Sequence, residues 1–431
     1  MRNARLAVLV VVALMVAACG ILPGGGNQAG TKLTIAAVQG GEDAGLKAVA
    51  PSYESKAGVD IEIVELPYAD LYSKLVTTFQ ANEATYDLVM LDDPWMPKFG
   101  TDGSLQDLGQ FGIARDPDIA GVIYDVGTWP PPRGAVPPGQ ESKTAQLLGV
   151  TIVGNVEMFM YRNDIQTTAP ATWEDVLAAA QANDSDTLAG YVIRGKATNP
   201  VVADFLPILW SFGGDVFDEN WNVVIDSDES MAAVNFLVND LKAVAQDGPA
   251  ETDAADRSRL VANGEGLQST VWPGEVTDIT NNQEVSPNRD KISYIPMPAG
   301  PSGKGFGMMG NWLLAIPKAS TKGQAAAEFI KWMTQADTQK TYAEKGGIPS
   351  RTSILNDATL GAANPYFQAL AESLAAGPNW RPRTDQWNAV ETALGTHLNA
   401  ALAGTEETDA AISAAADEIR GIMQAAGYPT Q

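Results

Sequence analysis

One histidine and one cysteine among 431 residues leave little room for side-chain chemistry. A Ser-His-Asp triad or a histidine-based zinc site needs partners that His397 lacks. His397 lies within ALGTHLNAALAG, a helical pattern, and reads as structural. Cys19, being alone, can form no disulfide within the chain and supplies no Cys-based metal site. No metal site and no cofactor are therefore expected. Two carboxylates are enough for glycoside hydrolysis, and Asp92-Asp93 is the candidate pair. Neighbours on a strand end point to opposite sides, so these two are poorly placed to act on one bond together. No Walker sequence occurs, and GFGMMG at 305–310 is not followed by a helix start with Lys-Ser/Thr. Tryptophan is the more informative residue. Six of the ten lie beside loops rather than on helix stripes: Trp95, Trp129, Trp272, Trp312, Trp380 and Trp387. An indole beside Pro or Gly at a strand end is a candidate platform for the C–H face of a sugar ring, with nearby polar groups for its hydroxyls.

The elements that must position these residues alternate. Residues 31–38 read as a strand ending in Gln39-Gly40-Gly41-Glu42-Asp43. Leu46, Val49, Ala50 and Tyr53 then stripe a helix that Gly58 stops. Residues 59–66 form a β-branched strand, and Leu71, Leu75 and Phe79 stripe the next helix. DLVML at 87–91 is the wholly apolar strand of a buried parallel sheet. The pattern predicts an α/β fold with a mostly parallel sheet. A Pro- and Gly-rich loop or lid spans 127–140, and a strand-rich stretch follows at 146–162. Thr172 and Asp175 approximate a capping box for a helix starting at Trp173. Further helices are expected at 228–246, 322–334 and 337–345, a strand at 292–298, and helices over most of the C-terminal third.

The N-terminus predicts a location. Arg2 and Arg5 precede an apolar run over 6–18, the form of a secretory signal. That run is too short to span a bilayer core of roughly 30 Å comfortably. Val16-Ala17-Ala18-Cys19 resembles a bacterial lipobox, which implies cleavage after residue 18 and lipidation of Cys19. Residues 19–30, with Gly24-Gly25-Gly26 and Pro23, suit a flexible tether. What remains is long enough for two domains. A net charge of −24 argues against nucleic acid and against lying flat on anionic lipid.

Four segments, in order and spacing, resemble the extracellular solute-binding proteins of ABC sugar importers, the group of the maltose- and trehalose-binding lipoproteins. They are YDLVMLDDPWMPKFGTDGSLQDL (86–108), LLGVTIVGNVEMFMYRNDI (147–165) and GNWLLAIPKASTKGQAAAEFIKWMT (310–334), and GGIPSRTSI (346–354) with NWRPRTDQWNAVETALGTHLNAALAG (379–404). The resemblance implies the two-lobed periplasmic-binding-protein fold of type II, with the ligand cleft between lobes. Lobe 1 would comprise 31–145 and 293–345, and lobe 2 would comprise 146–292 and 346–431. By position it implies ligand contacts from Gln39, Gly41, Glu42 and Asp43, and from Asp92, Asp93 and Trp95. It extends them to Asn155, Trp272, Gly310, Asn311, Trp312, Arg351 and Arg381. The implied activity is capture of a carbohydrate or polyol without catalysis. Delivery by hinge closure to an ABC permease with its cytoplasmic ATPase would follow. The protein would be a monomer held to the membrane only by its lipid. A lipid-anchored glycoside hydrolase and a ligand-sensing module for a receptor are the alternatives.

Overall fold

The computed structural model describes residues 30–280 and 286–429. The leader, the lipobox with Cys19, and the tether up to residue 29 lie outside the described residues. Among the described residues, eight strands longer than two residues build two sheets: β1 (Lys32–Val38), β2 (Asp60–Leu66), β3 (Leu88–Asp92), β4 (Gly149–Val153), β5 (Met158–Arg162), β6 (Gln268–Val271), β7 (Ile292–Ile295) and β8 (Trp312–Ala315). The first sheet has the order β2-β1-β3-β8-β4, and the second has β6-β5-β7.

The first sheet follows from the helix–strand alternation. β1 runs parallel to β2 and β3, as chains returning through a helix must. The helix Gly41–Ala57 buries Leu46, Val49, Ala50 and Tyr53, the stripe expected from spacing. The sheet is less parallel than expected, because β8 inserts antiparallel to both β3 and β4. The second sheet is wholly antiparallel.

Two segments fall on the other side of the expected boundaries. β4 pairs with β8 and so belongs to the first sheet, although 146–153 was assigned to lobe 2. β7 pairs with β5 in the second sheet, although 293–295 was assigned to lobe 1. The reason is register, which pairs strands far apart in sequence. The chain crosses between sheets at 154–157, where Gly154 N donates to Ile348 O (3.1 Å) and Glu157 N to Met308 O (2.8 Å). A side chain at Gly154 would start 2.6 Å from Pro349 O, so the crossing segments can approach this closely only at glycine.

Two apolar cores result. One surrounds the first sheet and reaches beneath the second. The other gathers Phe159, Trp173 and the helices Asn199–Phe212, Trp387–Ala403 and Thr408–Ala425. Among the described residues no helix is long and apolar enough to cross a membrane.

Candidate functional site

A cavity of about 480 Å³ opens between the sheets, within the range of roughly 300–1,000 Å³ usual for small-molecule sites. The first sheet supplies the turn Gln39–Glu42 after β1, Asp92 at the end of β3, and Trp312 at the start of β8. Gly310 precedes Trp312 and lies under the Trp272 ring. A Cβ at 310 would sit 2.5 Å from that ring, so glycine lets the indole approach the backbone this closely. Trp272 itself follows β6 in the second sheet. The opposite wall is made by Asn155 on the crossing, Asn199 and Ala203 on one helix, Ala254, Ala255 and Ser258 on another, and Gly274 with Glu275. The two walls come close where Gly41 faces Gly274 O, 3.2 Å from the position of a Cβ on Gly41.

The polar framework is densely paired. Asp92 accepts from its neighbour's N–H at 2.9 Å and from the Tyr68 hydroxyl at 2.9 Å. Arg381 grips the same carboxylate through two nitrogens, at 3.2 and 2.9 Å. On the far wall Arg194 pairs with Asp204 at 2.7 Å. Buried Arg257 bonds Asp204, Thr270 (2.8 Å) and Glu275 (2.8 and 2.7 Å). Glu42 is different. Burial, then the nearby carboxylates Glu275, Asp92 and Asp43, push its pKa up to about 7, against the bond from its own backbone N–H.

Nine of the fourteen expected residues border the cavity: Gln39, Gly41, Glu42, Asp92, Asn155, Trp272, Gly310, Trp312 and Arg381. Five do not, and each has a structural task. Asp43 is fully buried and pairs with Lys47 at 3.1 Å, one turn along its helix. Asp93 is fully buried, its carboxylate 3.7 Å from the same Arg381 nitrogen that holds Asp92, and it accepts from Asn311 N at 2.8 Å, tying β3 to β8. Asn311 is buried and donates from its side chain to Asn155 O at 2.6 Å, bracing the crossing. Trp95 is buried behind the wall, its ring 5.6 Å from that of Trp312 and 5.0 Å from that of Tyr68. Arg351 pairs with Asp116 (2.7 Å) and Asp118 (3.0 Å) away from the cavity. Of the other tryptophans singled out by sequence, Trp129 and Trp387 are core residues, and Trp380 is stacked under Arg133 at 3.8 Å. The sequence reading missed Tyr68, Arg194, Asn199, Ser258 and Glu275. Glu275 follows Trp272 by three residues in TVWPGEV, which was the one available signal.

Comparison with known proteins agrees with this architecture. MalE3 of T. maritima, solved with maltose bound, superposes with a TM-score of 0.78 at 28% identity, covering 91% of this chain and 100% of that one. An ABC transporter solute-binding protein from Agrobacterium vitis, solved with D-mannitol, gives 0.77 at 25% identity over 93% of this chain and 100% of that one. By sequence, the mannitol-binding protein of Pseudomonas aeruginosa is 25% identical over 97% of this chain and 98% of its own length. A probable amino-acid ABC transporter periplasmic-binding protein of Sinorhizobium fredii is 25% identical over 93% and 91%. The family model for bacterial extracellular solute-binding proteins matches residues 36–340. With two α/β lobes, crossing segments between them and a polar cavity at their junction, the chain belongs to the bacterial extracellular solute-binding protein family.

Proposed function

We propose that this protein captures a carbohydrate or polyol in the interlobe cavity and delivers it to an ABC permease by hinge closure. The observation that carries this reading is a cavity with an indole on each wall, Trp272 and Trp312, among polar groups. Rings supply flat apolar area for sugar C–H faces, and the polar rim supplies hydroxyl partners. The similar proteins point to different ligands, a polyol or maltose on one side and an amino acid on the other. The electrostatics of the cavity favour the former. Each guanidinium at its wall is already engaged, Arg381 by Asp92 and Arg194 by Asp204. A carboxylate or phosphate would find no uncommitted cation among the described residues lining the cavity, so acidic ligands fit poorly.

Catalysis is not part of this reading. Asp93 is fully buried and does not border the cavity, and Asp92 is held by Arg381, so the pair does not flank a common bond there. Closure requires only that ligand contact both lobes and so bind the closed form more tightly than the open one. The protein would act as a monomer. Lipidation at Cys19 would keep it at the outer face of the cell membrane, beside the permease and its ATPase.

A thermal-shift screen over neutral sugars, polyols, sugar acids and amino acids, followed by calorimetry, tests the proposal. Hydroxyl-rich compounds are expected to raise the melting temperature by mass action, and acids are not. Trp272→Ala is expected to weaken binding by about 2 kcal/mol, roughly thirtyfold. Stabilisation by amino acids alone would refute the ligand class.

A further inference from the structure

Glu42 is the cavity's one lining carboxylate, among the described residues, without a guanidinium or ammonium beside it. The others are neutralised in place: Asp92 by Arg381, and Glu275 by Arg257. The carboxylate of Glu42 lies on the seam between the lobes. Its Oε2 is 3.2 Å from where a Cβ on Gly40 would stand, and its Oε1 is 3.2 Å from where one on Gly274 would stand. Glycine on both sides leaves room for the acid, which borders the cavity. Asn155 also borders the cavity, and its side chain is 3% exposed.

We propose that the cavity selects a carbohydrate or polyol that carries a protonated amine, an amino sugar or amino-polyol, with the ammonium seated at Glu42. The inference rests on the carbohydrate reading above and narrows it. A hydroxyl could pair with Glu42 in its neutral form, but it would not compensate the anion. An ammonium compensates that charge and adds a charge-assisted hydrogen bond. The groups facing Glu42 are Glu275 after β6, Asp92 at the end of β3, Asp43 on its own helix, and Tyr342 of the helix Ala336–Glu344. None is cationic. Together with burial they hold the Glu42 pKa near 7, so the empty cavity is poised between a neutral acid and an anion. A bound ammonium favours the anion. Binding of the amine should therefore release a proton near neutral pH and strengthen as pH rises from about 5.5 to 7, as long as the ligand's own amine stays protonated.

Calorimetry of the purified protein with matched pairs tests this: glucosamine against glucose, and 1-amino-1-deoxysorbitol against sorbitol, at pH 5.5 and 7.5. The expected result is that the amine binds about tenfold more tightly than its neutral partner at pH 7.5. The advantage should shrink at pH 5.5 and vanish in Glu42→Gln, whose melting temperature reports that it folds. N-Acetylglucosamine should rank with glucose. Neutral partners binding as tightly as the amines at both pH values would overturn the inference and leave the carbohydrate reading standing. An amine preference that survives in Glu42→Gln would overturn the assignment to Glu42. If amino acids bind and no member of either pair does, the carbohydrate reading fails and takes this inference with it.

Discussion

At Asp92 three donors converge on one carboxylate: the Asp93 N–H, the Tyr68 hydroxyl and the Arg381 guanidinium. The residue therefore joins β3 to the segment that follows residue 379, as well as facing the cavity. Removing one partner of a buried ion pair leaves the other uncompensated. Asp92→Asn is expected to lower unfolding free energy by about 3 kcal/mol. In urea unfolding, the double variant Asp92→Asn/Arg381→Met should lose less than the sum of its single changes. Additive losses would mean that the pair is not coupled. Sequence reasoning placed Asp92 and Arg381 at the site but not against each other, since nothing local links positions so far apart. It also grouped Asp93 with Asp92 as a ligand contact, although Asp93 is fully buried in the turn after β3, 3.7 Å from the Arg381 nitrogen that holds Asp92. Trp272 and Trp312 stood out because each lies at a strand end, Trp272 beside Pro273 and Trp312 two residues after Gly310. Trp95 has the same local setting beside Pro94, yet Tyr68 and Tyr72 cover it. Only tertiary packing separates a platform from the layer behind it.

Elements with their own local signals were the legible ones. Thr172 accepts from Asp175 N at 3.1 Å, and Asp175 accepts from Thr172 N at 3.0 Å, the reciprocal box read from Thr-x-x-Asp. Replacing Thr172 by Ala should cost about 1 kcal/mol, measured by urea unfolding, and Thr172→Ser should restore most of it. An Ala variant as stable as the parent would show that the box contributes nothing. The helix Asn199–Phe212 gave no such signal. It is buried on nearly every face and carries Pro207 inside, so its sequence has neither a polar side nor a clean period. Yet its first turn brings Asn199 to the cavity, where the amide also donates to Glu391 at 3.0 Å. The placement of β8 between β3 and β4 was equally hidden. Strand composition gives burial, whereas sheet order depends on partners more than two hundred residues away.

For the whole molecule, the two-lobed plan was recognisable from four spaced segments, and the exact crossing points were not. The crossings at 154–157, 307–311 and 346–351 lie side by side, Gly310 N donating to Asn155 O at 3.0 Å and Gly154 N to Ile348 O at 3.1 Å. A few residues at such a junction can absorb a rotation while both cores stay intact. The walls also meet at Gly41 and Gly274, which belong to different sheets. The central claim is thus a change of shape coupled to occupancy of the cavity. Small-angle X-ray scattering on the protein, alone and saturated with the carbohydrate that stabilises it most in the thermal screen, tests this directly. The account predicts a smaller radius of gyration with ligand than without it. An unchanged radius at full saturation would contradict closure as the way this protein works.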